Sequence, residues 1–258
     1  MRGTRWLLGA SIGAMVLGVS AIVLALVFGG RGGVSEPQPT AVTQVSVPGE
    51  PDGSGEPRSA ETDGDEDPVA PERRIDPAWV ARIAERTGIG ERALEAYGQA
   101  ASRIGVEQPE CGLGWNTLAG IGHVESEHGT IFGGELAENG RADPPIRGIA
   151  LDGTRTDAIP DTDGGELDGD EVWDRAVGPM QFIPSTWELW ASDGDGDGIA
   201  DPQDIDDAAY AAGRYLCSVG GDLRQPDNWI AAIAAYNNTI EYNNRVADAA
   251  NHYAQLAG

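Results

Sequence analysis

Gly122-His123-Val124-Glu125-Ser126-Glu127-His128-Gly129, written GHVESEHG, sets two histidines and two glutamates close together in a run that ends on glycine. A zinc helix of the H-E-x-x-H kind needs its histidines four apart, with a glutamate directly after the first. Here they are five apart, roughly 140° around a regular helix, so such a helix cannot present both to one ion. That leaves the glutamates as the chemical content. Leu118 and Ile121 stand seven and four positions before Glu125, which places its carboxyl on an apolar helical face, whereas Glu127 shares its side with Gly120 and His123. A carboxyl against apolar walls has its charged form disfavoured and its pKa raised, the condition for a general acid near neutral pH. The plainer reading is a glutamate at the rim of a helix end.

Outward from this stretch the pattern is helical. The helix carrying Glu125 is expected from Leu113 to His128, stopped by Gly129. Asp76 as N-cap with Pro77 at the first position predicts a helix through Trp79, Val80 and Ile83 to Gly88. Leu94, Tyr97, Ala101 and Ile104 predict a second from Glu91 to Ile104. Further helices are expected over Ser185–Ala191, where Ser185 and Glu188 form a capping-box pattern, then Asp206–Val219, Asn228–Asn237 and Glu241–Ala257. Between Thr130 and Val177, Gly, Asp and Pro dominate without periodicity, predicting a long irregular insertion with at most a short hairpin. The fold class is mainly α.

The chain of 258 residues carries 17 basic and 42 acidic side chains, a net charge of -25, and no lysine. Without clustered cations it is not a nucleic-acid binder. Trp6 to Phe28 is an uncharged apolar run long enough to cross roughly 30 Å of hydrocarbon. Arg2 and Arg5 on its amino side favour a cytoplasmic N-terminus and an exported remainder. Residues 1–29 are therefore expected to be a transmembrane anchor, with a cleaved signal peptide as the rival. Residues 30–74, rich in Pro, Gly, Ser and acids, are expected to be a disordered linker with an r.m.s. reach of about 35–40 Å. The folded domain is expected over 75–258. Outside the cytoplasm, Cys111 and Cys217 are expected to pair, the rival being two buried thiols.

Two further motifs accompany the glutamate. Ala176 to Ser185, AVGPMQFIPS, is an apolar loop bounded by glycine and proline with one amide, Gln181, at its centre, and Ala235-Tyr236-Asn237 closes a helix. The E-S, G-x-M-Q-F-x-P-S and A-Y-N elements, in this order, resemble the lysozyme-like lytic transglycosylases. More closely, 75–258 resembles the membrane-bound lytic murein transglycosylase B family in its actinobacterial form. The resemblance implies a lysozyme-like domain that cleaves the MurNAc-β-1,4-GlcNAc bond of peptidoglycan and forms 1,6-anhydroMurNAc. Glu125 matches the single catalytic acid/base, Gln181 the groove glutamine with Met180 and Phe182 beside it, and Tyr236, Asn237 and Tyr242 the residues that line the cleft. Glycan strands are the implied partner and no cofactor is implied for the chemistry. A muramidase and a non-catalytic wall-binding protein are the rival functions.

Asp193, Asp195 and Asp197, with Gly198 and the carbonyl of Ile199, follow EF-hand spacing for a structural calcium ion. Position 12 is Asp204, while the resemblance implies a closing carboxylate further along, at Asp207. The acids from Asp161 to Glu171 lack that register and are expected to be solvated, the rivals being a bound cation or contacts to the sugar's hydroxyls.

Overall fold

The computed structural model describes residue 40, residues 42–47 and residues 75–258. The expected anchor over 1–29 lies outside the described residues, and among these no helix is long and apolar enough to cross a membrane. They form a mainly helical domain: α1 (Pro77–Thr87), α2 (Glu91–Glu107), α3 (Trp115–Ser126), a two-residue antiparallel hairpin of β1 (Glu135–Leu136) and β2 (Ala142–Asp143), then α4 (Pro184–Trp190), α5 (Ile205–Gly220), α6 (Pro226–Tyr236) and α7 (Ile240–Ala257).

Local chemistry sets the ends. Asp76 caps α1 by accepting the Ala78 N–H, and Gly88 closes it in the left-handed region. Thr239 caps α7 through the Tyr242 N–H. The capping box expected at Ser185 and Glu188 does not form. Pro184 takes the first helical position, so Ser185 falls inside α4, and the N-cap, Ile183, offers no side-chain acceptor.

Helix α3 runs through the middle of the domain. From Trp115 to Gly122 every residue is buried, and α3 packs chiefly on α7 and α2. Two glycines make this possible: a Cβ on Gly120 would stand 2.8 Å from the Val246 carbonyl on α7, and one on Gly122 would stand 1.9 Å from the Tyr97 hydroxyl on α2. Trp115 meets Trp79 edge to face, and the Trp229 N–H donates to Thr117 Oγ1 at 3.0 Å. The disulfide Cys111–Cys217 joins the segment before α3 to the last turns of α5.

The structure departs from the expected linker at Val42–Val47. Val42 and Val47 are buried against the domain, and the backbone between them bonds to the start of α3. Composition predicts a tether because small polar residues outnumber apolar ones across 30–74. A six-residue segment with three valines, at 42, 45 and 47, nevertheless carries enough apolar surface to dock on the domain.

Candidate active site

Glu125 stands one residue before the end of α3, and the chain then turns sharply. Glu127, His128 and Gly129 all adopt positive φ, at 53°, 62° and 85°. The helix therefore ends at Ser126, two residues before the expected end, because Glu127 already sits in the left-handed region with its N–H returned to His123. Two side chains hold this turn. Ser126 Oγ donates to the Pro179 carbonyl at 2.6 Å and accepts the Gly129 N–H at 2.8 Å. His128 folds back, its Nδ1 3.2 Å from the Tyr97 hydroxyl and its Nε2 2.9 Å from the Tyr253 hydroxyl.

This reversal corrects the separation expected for the histidines. A regular helix would put them on different sides, but the turn brings the His123 and His128 rings to 5.5 Å. Metal binding is still disfavoured there, since both His128 nitrogens are engaged by tyrosines. Burial, followed by the neighbouring His123, pushes the His128 pKa down to about 3, so the ring is neutral across the working range.

The two glutamates separate as the face pattern predicts. Glu127 is exposed. Glu125 is walled in, with only part of its surface open to solvent, and its Oε1 accepts the Tyr242 hydroxyl at 2.6 Å. Burial is the largest influence and pushes the Glu125 pKa up to about 7, while the Tyr242 hydrogen bond and the Arg245 charge pull it down. Arg245 lies one helical turn beyond Tyr242 on α7. Sequence reasoning placed Tyr242 along the cleft and missed that it bonds the acid itself. It missed Ser126, His128, Tyr97, Tyr253 and Arg245 as well, whose roles depend on a turn and on helix crossings that no local pattern marks.

Gln181 also has positive φ (50°), with its Nε2 donating to the Gly178 carbonyl at 2.9 Å. Three of the four described non-glycine residues with positive φ, Glu127, His128 and Phe132, follow Glu125 within seven positions, and the fourth is Gln181. Backbone held in the left-handed region by side chains with Cβ atoms costs free energy and concentrates at sites that use the geometry. Gln181, Phe182, Ile183, Thr186, Tyr215 and Tyr236 line a cleft of about 290 Å³.

The remaining candidates take different places. Met180 is fully buried and presents its carbonyl, not its side chain, to the Tyr236 hydroxyl at 2.7 Å. Phe182 packs edge to face on Trp187 and Tyr236 while touching the cleft. Tyr236 stacks nearly parallel to Tyr242, with interplanar angle 4°. Asn237 is buried at the end of α6, where its Oδ1 accepts the Thr239 N–H and hydroxyl. It shapes the turn into α7 that delivers Tyr242.

In the acidic loop, carboxylate oxygens of Asp193, Asp195 and Asp197 lie within 4.8 Å of one another. Asp207 faces them from α5: its oxygens accept the Gly194 and Asp201 N–H groups. Burial first, then the charges of Asp195, Asp193 and Asp197, push its pKa up to about 7. Asp204 instead caps α5 through the Asp206 N–H, on the side where Arg92 pairs with Asp206. The three loop acids thus lie close enough that a shared cation would relieve their repulsion, and Asp207 borders the loop through its N–H groups. The second acidic stretch brings Asp161 and Asp163 next to Asp174; as in the first loop, the carboxylates accept the loop's own N–H groups, and here also the Thr162 hydroxyl.

Residues 166–256 match the family model of the transglycosylase SLT domain. The match takes in the Gln181 loop, the acidic loop, Tyr236 and Tyr242, and begins after Glu125. Among solved structures, the chain is similar to the Escherichia coli lytic transglycosylase Slt35 in complex with bulgecin A, at 16% identity over 72% of this chain and 80% of that one, TM-score 0.42. It is also similar to the catenated lytic transglycosylase SltB1 from Pseudomonas aeruginosa, at 17% identity over 78% of this chain and 86% of that one, TM-score 0.36. No curated protein matches the sequence.

Proposed function

We propose that the protein is a peptidoglycan lytic transglycosylase, with Glu125 as its single acid/base. The observation that carries this reading is the Glu125 carboxyl itself, raised to about 7 by burial, hydrogen-bonded by Tyr242 and partly open to solvent. The transglycosylase SLT match over 166–256 supports the substrate class.

At neutral pH a large share of Glu125 is protonated, so it can donate to the glycosidic oxygen as the C1–O bond of MurNAc breaks. The carboxylate left behind takes the proton from the muramyl C6 hydroxyl as that oxygen bonds to C1, closing the 1,6-anhydro ring. The enzyme regains its proton and no water is consumed. Among the described residues, the groups acting on the charge of Glu125 are Tyr242 and Arg245, not a second carboxylate. This suits a reaction in which the substrate's N-acetyl group, not an enzyme acid, steadies the oxocarbenium-like centre. Tyr242 orients the carboxyl, and Gln181 and Tyr236 line the glycan side.

The finer assignments belong to the same proposal: the actinobacterial B-type family, an uncleaved anchor over 1–29, and a catalytic domain outside the cytoplasm, acting on the wall from the membrane. Calcium fits the loop of Asp193, Asp195 and Asp197, with Ile199 supplying a carbonyl and Asp207 in preference to Asp204 on the α5 side. It would neutralise the loop and pin it between α4 and α5. Mass spectrometry of muropeptides released from purified peptidoglycan tests the function. Ends in 1,6-anhydroMurNAc are expected, and reducing ends would make the enzyme a muramidase.

A further inference from the structure

Val42–Val47 makes the contacts of a structural element. Helix α3 begins at Gly114, which has no side chain with which to cap it, so its first amides need partners from elsewhere. They find them in this segment. Gln44 Oε1 accepts both the Gly114 N–H and the Thr117 hydroxyl at 2.8 Å, and the Val45 carbonyl accepts the Trp115 N–H at 3.1 Å. Asn116, fully buried, accepts the Val45 N–H at 2.8 Å and donates to the carbonyls of Thr43 and Ala250 at 2.9 and 3.2 Å. A Cβ on Gly114 would lie 2.4 Å from the Val45 nitrogen, so the glycine is the residue that admits the segment. At the other end the Thr40 N–H donates to Asn243 Oδ1 at 3.1 Å, one residue from Tyr242. Val42 and Val47, only 7% and 6% exposed, are buried at the two ends of the segment.

Those partners are buried polar groups of the helix that carries Glu125. Take the segment away, and Asn116 Oδ1 and the Gly114 and Trp115 N–H groups lose these partners together, while the Thr117 hydroxyl keeps only the Trp229 N–H it accepts, a situation folded proteins avoid. We infer that Val42–Val47 is an intramolecular strap belonging to the catalytic unit: it caps α3 from outside the helix and braces α3 against α7, holding Glu125 beside Tyr242. The catalytic unit therefore takes in Val42–Val47 together with residues 75–258.

The test uses the full chain with Gln44→Ala, Gln44→Glu and the double variant Val42→Asp/Val47→Asp. Amide hydrogen exchange is read at Gly114 and Trp115 with the amides of α5 as internal reference, beside kcat and KM for anhydro-muropeptide release. Gln44→Ala is expected to speed exchange at these amides roughly fivefold or more, and the double variant further, with α5 unchanged. kcat should fall severalfold with KM within about twofold, and Gln44→Glu, which keeps the acceptor, should restore both. Unchanged exchange in Gln44→Ala and the double variant would overturn the strap whatever the activity. Faster exchange with unchanged kcat would overturn the brace. The turnover arm rests on the proposed function, and the exchange arm does not: an inactive wild type with the expected exchange pattern would refute that function and support the strap's docking.

Discussion

Replacing Glu125 by Gln should abolish turnover and, at the same time, make the domain more stable at alkaline pH. The amide is nearly isosteric with the protonated acid, can still accept the Tyr242 hydroxyl, and cannot ionise. In the wild type the folded state holds this proton more tightly than the unfolded chain, since burial lifts the pKa from 4.5 to about 7. Below pH 4.5 both states are protonated and the group is neutral in the balance. Between about 4.5 and 7 the unfolded chain ionises while the folded protein resists, so stability falls as pH rises, and above about 7 the loss is complete. The full displacement corresponds to about 3 kcal/mol, which solvent at the open side of the carboxyl reduces to about 2 kcal/mol.

For a domain of this size about 2 kcal/mol is worth roughly 4–8 °C in Tm. Calorimetry of wild type and Glu125→Gln at pH 4.5 and pH 8 should give equal Tm values at the lower pH and a variant several degrees higher at the other. Activity, read as released anhydro-muropeptides, should fall by about a thousandfold or more, because one group serves both proton transfers. A Tm difference that does not change with pH would refute the burial argument. A variant that is stabilised yet active would refute the assignment of Glu125.

Glu127→Gln, on the exposed side of the turn, should leave turnover within about twofold, and equal loss in both glutamine variants would defeat the division of faces. Tyr242→Phe removes a donor that favours the carboxylate, so the alkaline limb of the pH–rate profile should move up by up to about one pH unit as kcat falls roughly tenfold. If calcium fills the acidic loop, chelation should lower Tm by about 5 °C or more, and identical melting curves with EGTA and with calcium would remove the ion. Reduction of Cys111–Cys217, which closes a separation of 106 residues, should cost about 3–5 kcal/mol by the chain-entropy account, read as a lower urea midpoint.

The helices were legible because each carries its own period and stop: Asp76-Pro77 and Gly88 bracket α1, and the face shared by Leu118, Ile121 and Glu125 marks the acid. That face rule works because burial on α3 is set by position around one helix. It fails two residues further on, where Glu127 and His128 leave the helix through left-handed backbone that Asn or Gly would have signalled and these residues do not. The strap was illegible for a different reason. Its partners, Asn116 and Asn243, are distant in sequence, and composition averaged over 30–74 hides a six-residue exception. Gly114 was the available clue, a glycine at a helix start where a capping side chain is expected.

A single carboxyl that must first give a proton and then take one back cannot be tuned to either extreme. Burial alone would leave Glu125 protonated and unable to act as a base, and the Tyr242 and Arg245 contacts alone would leave it ionised and unable to act as an acid. The opposed influences come from different helices: α3 and its neighbours supply the apolar walls, and the first turns of α7 supply the hydroxyl and the guanidinium. The working pKa is therefore a property of how α3 sits on its neighbours: Gly120 admits α7, Gly122 admits α2, and the His128 clamp ties Tyr97 of α2 to Tyr253 of α7. A change that separates these helices by a fraction of an ångström need not touch the carboxyl to alter the pH at which it works.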